Sequence, residues 1–120
     1  MMKRIALAMV LGLPMVAQAQ DKASGEKVFN GFCSACHSPQ PGKTVMGPSL
    51  FGVIDRPAAK ADGFKYSEAM QHADLTWTSD TLNRYLPAPQ QLVPGTSMRF
   101  PGLKDDKKRA DLIAYLQSLH

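Results

Sequence analysis

The pentapeptide Cys33-Ser34-Ala35-Cys36-His37 holds both cysteines of this chain and sets a histidine directly behind the second. Two thiols at this spacing with an imidazole beside them suit three chemistries: a thiol–disulfide redox pair, half of a zinc site, or covalent attachment of a haem. Each demands different surroundings, so the other residues choose between them.

Compartment decides what thiols can do. The chain opens with Lys3 and Arg4, an almost wholly apolar run from Ile5 to Val16, and the triplet Ala17-Gln18-Ala19. This is the layout of a bacterial export signal, and the run is short for a membrane span. Residues 1–19 are therefore expected to be cleaved, leaving residues 20–120 as one domain in the oxidising periplasm. The chain has 14 Lys+Arg against 10 Asp+Glu, and loss of Lys3 and Arg4 leaves 12 against 10. Part of the basic character thus belongs to the signal, which removes the main support for a nucleic-acid partner. With no second hydrophobic span or internal repeat, the expected product is a soluble monomer without a transmembrane anchor.

Helical patterns alternate with loops, and little resembles a strand. Ser24 is the expected cap of a first helix, in which Val28, Phe29, Phe32 and Cys36 fall at helical spacing. Residues 39–63 are rich in proline and glycine and read as ordered loop. Ser67 is placed to start a short helix and Thr78 another, which Pro87 and Pro89 should stop. Residues 90–103 read as loop. Asp105 or Asp106 then opens a last helix with Leu112, Ile113, Leu116 and Leu119 inward. Long structured loops without strands imply a core filled by something besides side chains.

These surroundings decide the question of the thiols. A thioredoxin-like pair needs a βαβ pattern, and none is visible. Zinc needs further ligands at close spacing, and only His72 and His120 remain, both distant. A plain disulfide leaves His37 without a role. The favoured reading is one haem c per chain, held by thioethers from Cys33 and Cys36 and ligated by His37. Candidates for the sixth iron position are Met46, Met70, Met98, His72 and His120. Met98 stands out because Pro94 and Pro101 stiffen its loop, and a rigid loop holds a thioether without rearranging when the iron changes charge. His/Met ligation raises the potential and closes both faces to outside ligands.

The segments GEKVFNGFCSACH, GPSLFGVIDR, GFKYSEAM, LTWTSDTLNRYLPAPQQLVPGTSMRFPGL and RADLIAYL, covering nearly all of residues 20–120, resemble class I c-type cytochromes of the mitochondrial and purple-bacterial soluble type. The resemblance implies an all-α fold of about four or five helices and ordered loops around one haem. It implies a mono-haem electron carrier rather than an enzyme, docking transiently with membrane-bound or periplasmic redox proteins at the exposed haem edge. Within it, Met98 matches the sixth ligand and Pro48 the carbonyl donor that fixes the tautomer of His37. Tyr66 and Trp77 match residues that hydrogen-bond a haem propionate, and Arg56 one that offsets its charge. Tyr85 and Thr96 match polar neighbours of the methionine sulfur and the inner propionate. Gly25, Phe29, Leu112 and Tyr115 match the crossing of the terminal helices.

Departures from that pattern are also visible. Gln90, Gln91 and Ser97 stand where mitochondrial members carry lysines, leaving Lys27 and Lys104 near the expected edge, with Phe32, Val93 and Phe100 as expected apolar surface. Met70 stands where a haem-facing asparagine is common. The competing functional class is a haem site open to a small ligand, as in a gas-binding or peroxidase-like protein.

Overall fold

The computed structural model describes residues 8–12 and 20–120, so most of the expected signal over 1–19 lies outside the described residues. Five helices follow in chain order: α1 (Lys22–Phe32), α2 (Glu68–Gln71), α3 (Ser79–Tyr85), α4 (Pro89–Leu92) and α5 (Asp106–Gln117). Among the described residues the only strand-like pairing is an isolated bridge between Pro57 and Thr76. The described residues are all-α, as expected, with ordered loops making up much of the chain.

Local chemistry explains most of the boundaries. Ser67 accepts from the Met70 amide to cap α2. Thr78 caps α3 in a reciprocal box with Thr81, and Asp105 caps α5 by accepting from Lys108 N. The start of α1 differs from expectation. Asp21, not Ser24, is the N-cap, accepting from the amides of Ala23 and Ser24. Ser24 lies inside the helix and donates its hydroxyl to Asp21 Oδ2 at 2.8 Å. An ionised carboxylate beside two free amides outcompetes a hydroxyl. A second difference lies at Pro89, which starts α4 where loop was expected. Proline at a first helical position lacks only an N–H that would be unpaired anyway.

Helices α1 and α5 make the most extensive contact of any helix pair. Phe29 and Tyr115 meet with ring centroids 5.5 Å apart, and Phe29 and Leu112 are each 1% exposed. Burying each such side chain stabilises the fold by roughly 1.5–3 kcal/mol. Gly25 makes the close approach possible, since a Cβ there would lie 1.9 Å from the Asp111 carbonyl oxygen and 2.8 Å from Tyr115 Cβ. The Asp111 carboxylate closes the crossing by accepting from Asp21 N at 2.9 Å and Lys107 Nζ at 2.6 Å. These two donors, Lys107 first, hold its carboxyl below the usual value. Arg109 is buried and ties α5 to its neighbours, donating to Asn83 Oδ1, Asp106 Oδ1 and the Leu103 carbonyl. Leu112, Ile113 and Leu116 face inward as the periodicity predicts, whereas Leu119 lies beyond the helix and is half-buried.

Two glycines of α1 give opposite expectations. Gly25→Ala should destabilise the protein by about 3 kcal/mol through overpacking against backbone. Gly31→Ala meets nothing within 4 Å, so it should be neutral or stabilise by up to about 1 kcal/mol. Denaturant unfolding of both variants checks this, and equal midpoints would refute the crossing as described.

Candidate functional site

A cavity of about 450 Å³ opens between the loops and α1, α3 and α5. Its walls are largely apolar, with Leu50, Val53, Leu82, Leu86, Leu112 and Leu116 among them. Cys33, Cys36, His37, Pro48, Arg56, Tyr66, Trp77, Tyr85, Thr96 and Met98 all line it. Residues as far apart in sequence as Cys33 and Leu116 are thus gathered around one apolar space.

The Cys33–His37 turn follows directly from the end of α1. Cys33 N bonds the Phe29 carbonyl, while Cys36 N and His37 N both reach back to the Cys33 carbonyl at 3.1 and 2.9 Å. The helical spiral therefore continues just far enough to present both sulfurs and then the imidazole to the cavity. Both cysteines are free and half-buried. Burial, aided by the nearby Cys36, pushes the Cys33 thiol up to about 11. A thiol so protonated at neutral pH is a poor match for thiol–disulfide exchange, which needs thiolate.

The orientation of His37 rests on Pro48 and Gly47. Its Nδ1 lies 2.8 Å from the Pro48 carbonyl oxygen. A carbonyl only accepts, so Nδ1 carries the proton and Nε2 keeps its lone pair for a metal. Burial holds the imidazole below its ordinary pKa, partly countered by that hydrogen bond. Gly47 was not picked out by sequence reasoning. A Cβ there would stand 2.6 Å from His37 Cε1, so only glycine admits the ring. Its N–H bonds the Cys36 carbonyl at 2.7 Å, pinning the loop to the turn it cradles. The available signal was the Gly47-Pro48 pair itself, a turn dipeptide directly before the proline already assigned to His37.

On the side of Met98, Tyr85 and Thr96 form a buried hydroxyl pair at 3.0 Å, and Met98 N lies 3.4 Å from Thr96 Oγ1. Burial raises the Tyr85 pKa, partly offset by the Thr96 bond, so the phenol stays neutral. Trp77 packs on Tyr85 with centroids 4.9 Å apart. Arg56 donates to the carbonyls of Phe51 and Ser49, which stretches it along its loop at the cavity wall. Tyr66 accepts the Ala61 N–H and meets edge-on at 4.8 Å the ring of Phe64, a lining residue that sequence reading did not include.

Of the other candidates for the sixth position, Met70 is buried and lines the cavity, while Met46 lines it but is 74% exposed. His72 and His120 are exposed and bond the Glu68 and Gln117 carbonyls instead. Val93, expected at the surface, is 3% exposed. The turn closed by Thr96 N on the Val93 carbonyl folds its side chain into the core. A second cleft between α3 and α5, of about 490 Å³, is open and polar. Arg109 lines it, but its guanidinium is already bonded to protein.

The residues present fit a covalently held haem. One largely apolar cavity is lined by two free thiols, an imidazole and a thioether, together with a tyrosine, a tryptophan and an arginine.

The family model for cytochrome c matches residues 22–120. The chain is 43% identical over 99 residues to cytochrome c2 of Rhodopila globiformis, covering 82% of this chain and 93% of that one. It is 48% identical over 99 residues to cytochrome c2 of Rhodoblastus acidophilus, covering 82% and 92%. Among solved structures it is similar to cytochrome cH from Methylobacterium extorquens, with a TM-score of 0.77, 44% identity, and coverage of 82% and 98%.

Gly47→Ala should displace the His37 ring and break its bond to Pro48. The expected result is at least a tenfold lower yield of protein with a low-spin haem spectrum, measured against Gly31→Ala expressed in parallel. Equal yields and spectra would remove Gly47 from the site.

Proposed function

The chain belongs to the cytochrome c family, as a class I c-type cytochrome, and from that premise we propose that it is a soluble mono-haem carrier of single electrons with His37 and Met98 as axial ligands. The observation that supports this most is the pairing of His37, its Nε2 left free by Pro48, with Met98 on the walls of one apolar cavity. A haem held there would take both of its protein ligands from this chain, His37 and Met98, and would leave no position for an outside ligand.

Haem c, when bound, supplies an iron that cycles between the ferrous and ferric states. The protein's own residues do the rest. Cys33 and Cys36 tether the group, so the carrier cannot lose it while diffusing. His37 is held in one tautomer by the Pro48 carbonyl, which raises its basicity toward the metal. Buried aliphatic walls exclude water, which limits solvent reorganisation during transfer. Tyr66, Trp77 and Arg56 are assigned to the propionates, and Tyr85 and Thr96 to the surroundings of the Met98 sulfur. No residue is needed to make or break a substrate bond, so the role is that of a carrier and not an enzyme.

Export places this carrier in the periplasm as residues 20–120. Among the described residues no helix is long and apolar enough to cross a membrane. Its partners are membrane-bound or periplasmic redox proteins, met through a small transient interface at the haem edge. The surface beside the Cys33–His37 turn carries Phe32 and Val45, each 47% exposed, together with Met46. Lys108 Nζ sits 5.5 Å over the Phe32 ring, and Lys104 Nζ is bonded to the Pro87 carbonyl. Both lysines keep their charge in these contacts, so docking is partly apolar, and Gln90, Gln91 and Ser97 leave fewer cations beside the Met98 loop than lysines there would.

Two measurements test this reading. Acid–acetone extraction should leave the haem on the polypeptide, and colour passing into the solvent would defeat the thioether assignment. Met98→Ala should bind carbon monoxide in the ferrous state and lower the potential, whereas Met46→Leu and Met70→Leu keep the wild-type ligation spectrum. Carbon monoxide binding by the wild type at neutral pH would favour the open-site alternative.

The salt response tests the docking surface. Surface charges are screened over roughly 8 Å at physiological ionic strength, so a face with Gln90, Gln91 and Ser97 in place of lysines should give electron-transfer rates that fall only mildly with salt. The check is the second-order rate with a membrane redox complex across a salt series, alongside Gln91→Lys. A steep wild-type slope, unchanged by Gln91→Lys, contradicts an apolar interface.

A further inference from the structure

Gln90 occupies a position expected to be plain surface, but its carboxamide is engaged. Its Nε2 donates to the Thr96 carbonyl at 2.9 Å and lies 3.4 Å from the Met98 carbonyl. Carbonyls only accept, so the amide nitrogen must face them, and its two hydrogens can serve one each. The longer contact is the weaker of the two. The base of this arm is fixed, because the adjoining Pro89 is fully buried and starts α4. From the inner side Thr96 Oγ1 pairs with Tyr85 OH and lies within reach of Met98 N. The Met98 backbone is thus gripped at its N–H from within and at its carbonyl from outside.

We propose that Gln90 is a positioning residue that straps the Met98 loop to α4 and so sets how readily the sixth iron position opens. This rests on the assignment of Met98 as a ligand. An outside ligand can reach the iron only when the Met98 loop swings away, and swinging away breaks both bonds from Gln90. The strap therefore opposes opening without touching the metal. Side-chain hydrogen bonds of this kind each carry a modest net worth, and losing two amounts to a factor of about ten in an equilibrium.

The test is equilibrium binding of imidazole to the ferric holoprotein, followed by loss of the methionine–iron charge-transfer band. Gln90→Glu keeps the shape but turns a donor into an acceptor facing two carbonyls, and Gln90→Leu removes hydrogen bonding without adding charge. Each should raise the apparent imidazole affinity about tenfold. Gln91→Glu, which adds the same charge at the next residue, exposed like Gln90 but without its bonds to the Met98 loop, should change it less than twofold. In both Gln90 variants the band should also fade on heating well before global unfolding, which a merely structural role would not produce. Gln90→Leu serves alone where Gln90→Glu does not mature. Wild-type affinity in Gln90→Leu, or equal effects of Gln90→Glu and Gln91→Glu, overturns the strap. A wild type that lacks the band overturns the Met98 assignment instead, and the strap with it.

Discussion

An apolar cavity of about 450 Å³ in a domain of roughly a hundred residues is the constraint on which the other features depend. Three of the five helices have seven residues or fewer. Helices that short do not persist in water on their own propensity, because nucleation costs more than a turn or two returns. Their stability must come from tertiary contacts, and α3 turns Leu82 and Tyr85 toward the cavity. A group bound in the cavity would meet side chains from the loops and helices together and would supply the contacts that the chain lacks. The loops can then be long without being loose.

The α1–α5 crossing is largely a matter of protein packing on protein. Gly25, Phe29, Leu112 and Tyr115 make it, and the Asp21–Asp111 bond closes it. It also determines where the Cys33–His37 turn leaves α1, so the packing of the terminal helices aims the sulfurs and imidazole. For Met98 the Tyr85–Thr96 pair and the Gln90 arm take the corresponding part. The turn that carries His37 is held through helix crossing, and the Met98 loop through hydrogen bonds.

Much of this was legible before any coordinates. The pentapeptide, the proline-stiffened Met98 loop, and the periodic apolar positions of α1 and α5 each have a local physical signature. Ser67, Thr78 and Asp105 cap as their chemistry suggests. The misses share a cause. Asp21 displaced Ser24 because two plausible caps stood three residues apart, and only geometry showed which one the free amides faced. Pro89 reads equally as a stop or as a first helical residue. Val93 reads as loop surface until the Thr96 turn points it inward. Gly47 and Gln90 act through distances to His37 and Met98, and no spacing rule encodes a distance across a loop. Pattern reaches the elements and the reactive residues, whereas the groups that position them emerge only in three dimensions.

The central claim is that His37 and Met98 of one chain close both axial positions. It is tested most directly by NMR of the ferrous holoprotein with ¹³C-methyl methionine. Residues 20–120 contain three methionines, Met46, Met70 and Met98, so the methyl spectrum is simple. A methyl lying directly over the haem face feels its full ring current. The account predicts one methyl resonance shifted far upfield of the other two, lost in Met98→Leu and retained in Met70→Leu. Three methyl resonances near ordinary positions, or an upfield signal that disappears with Met70, would contradict it.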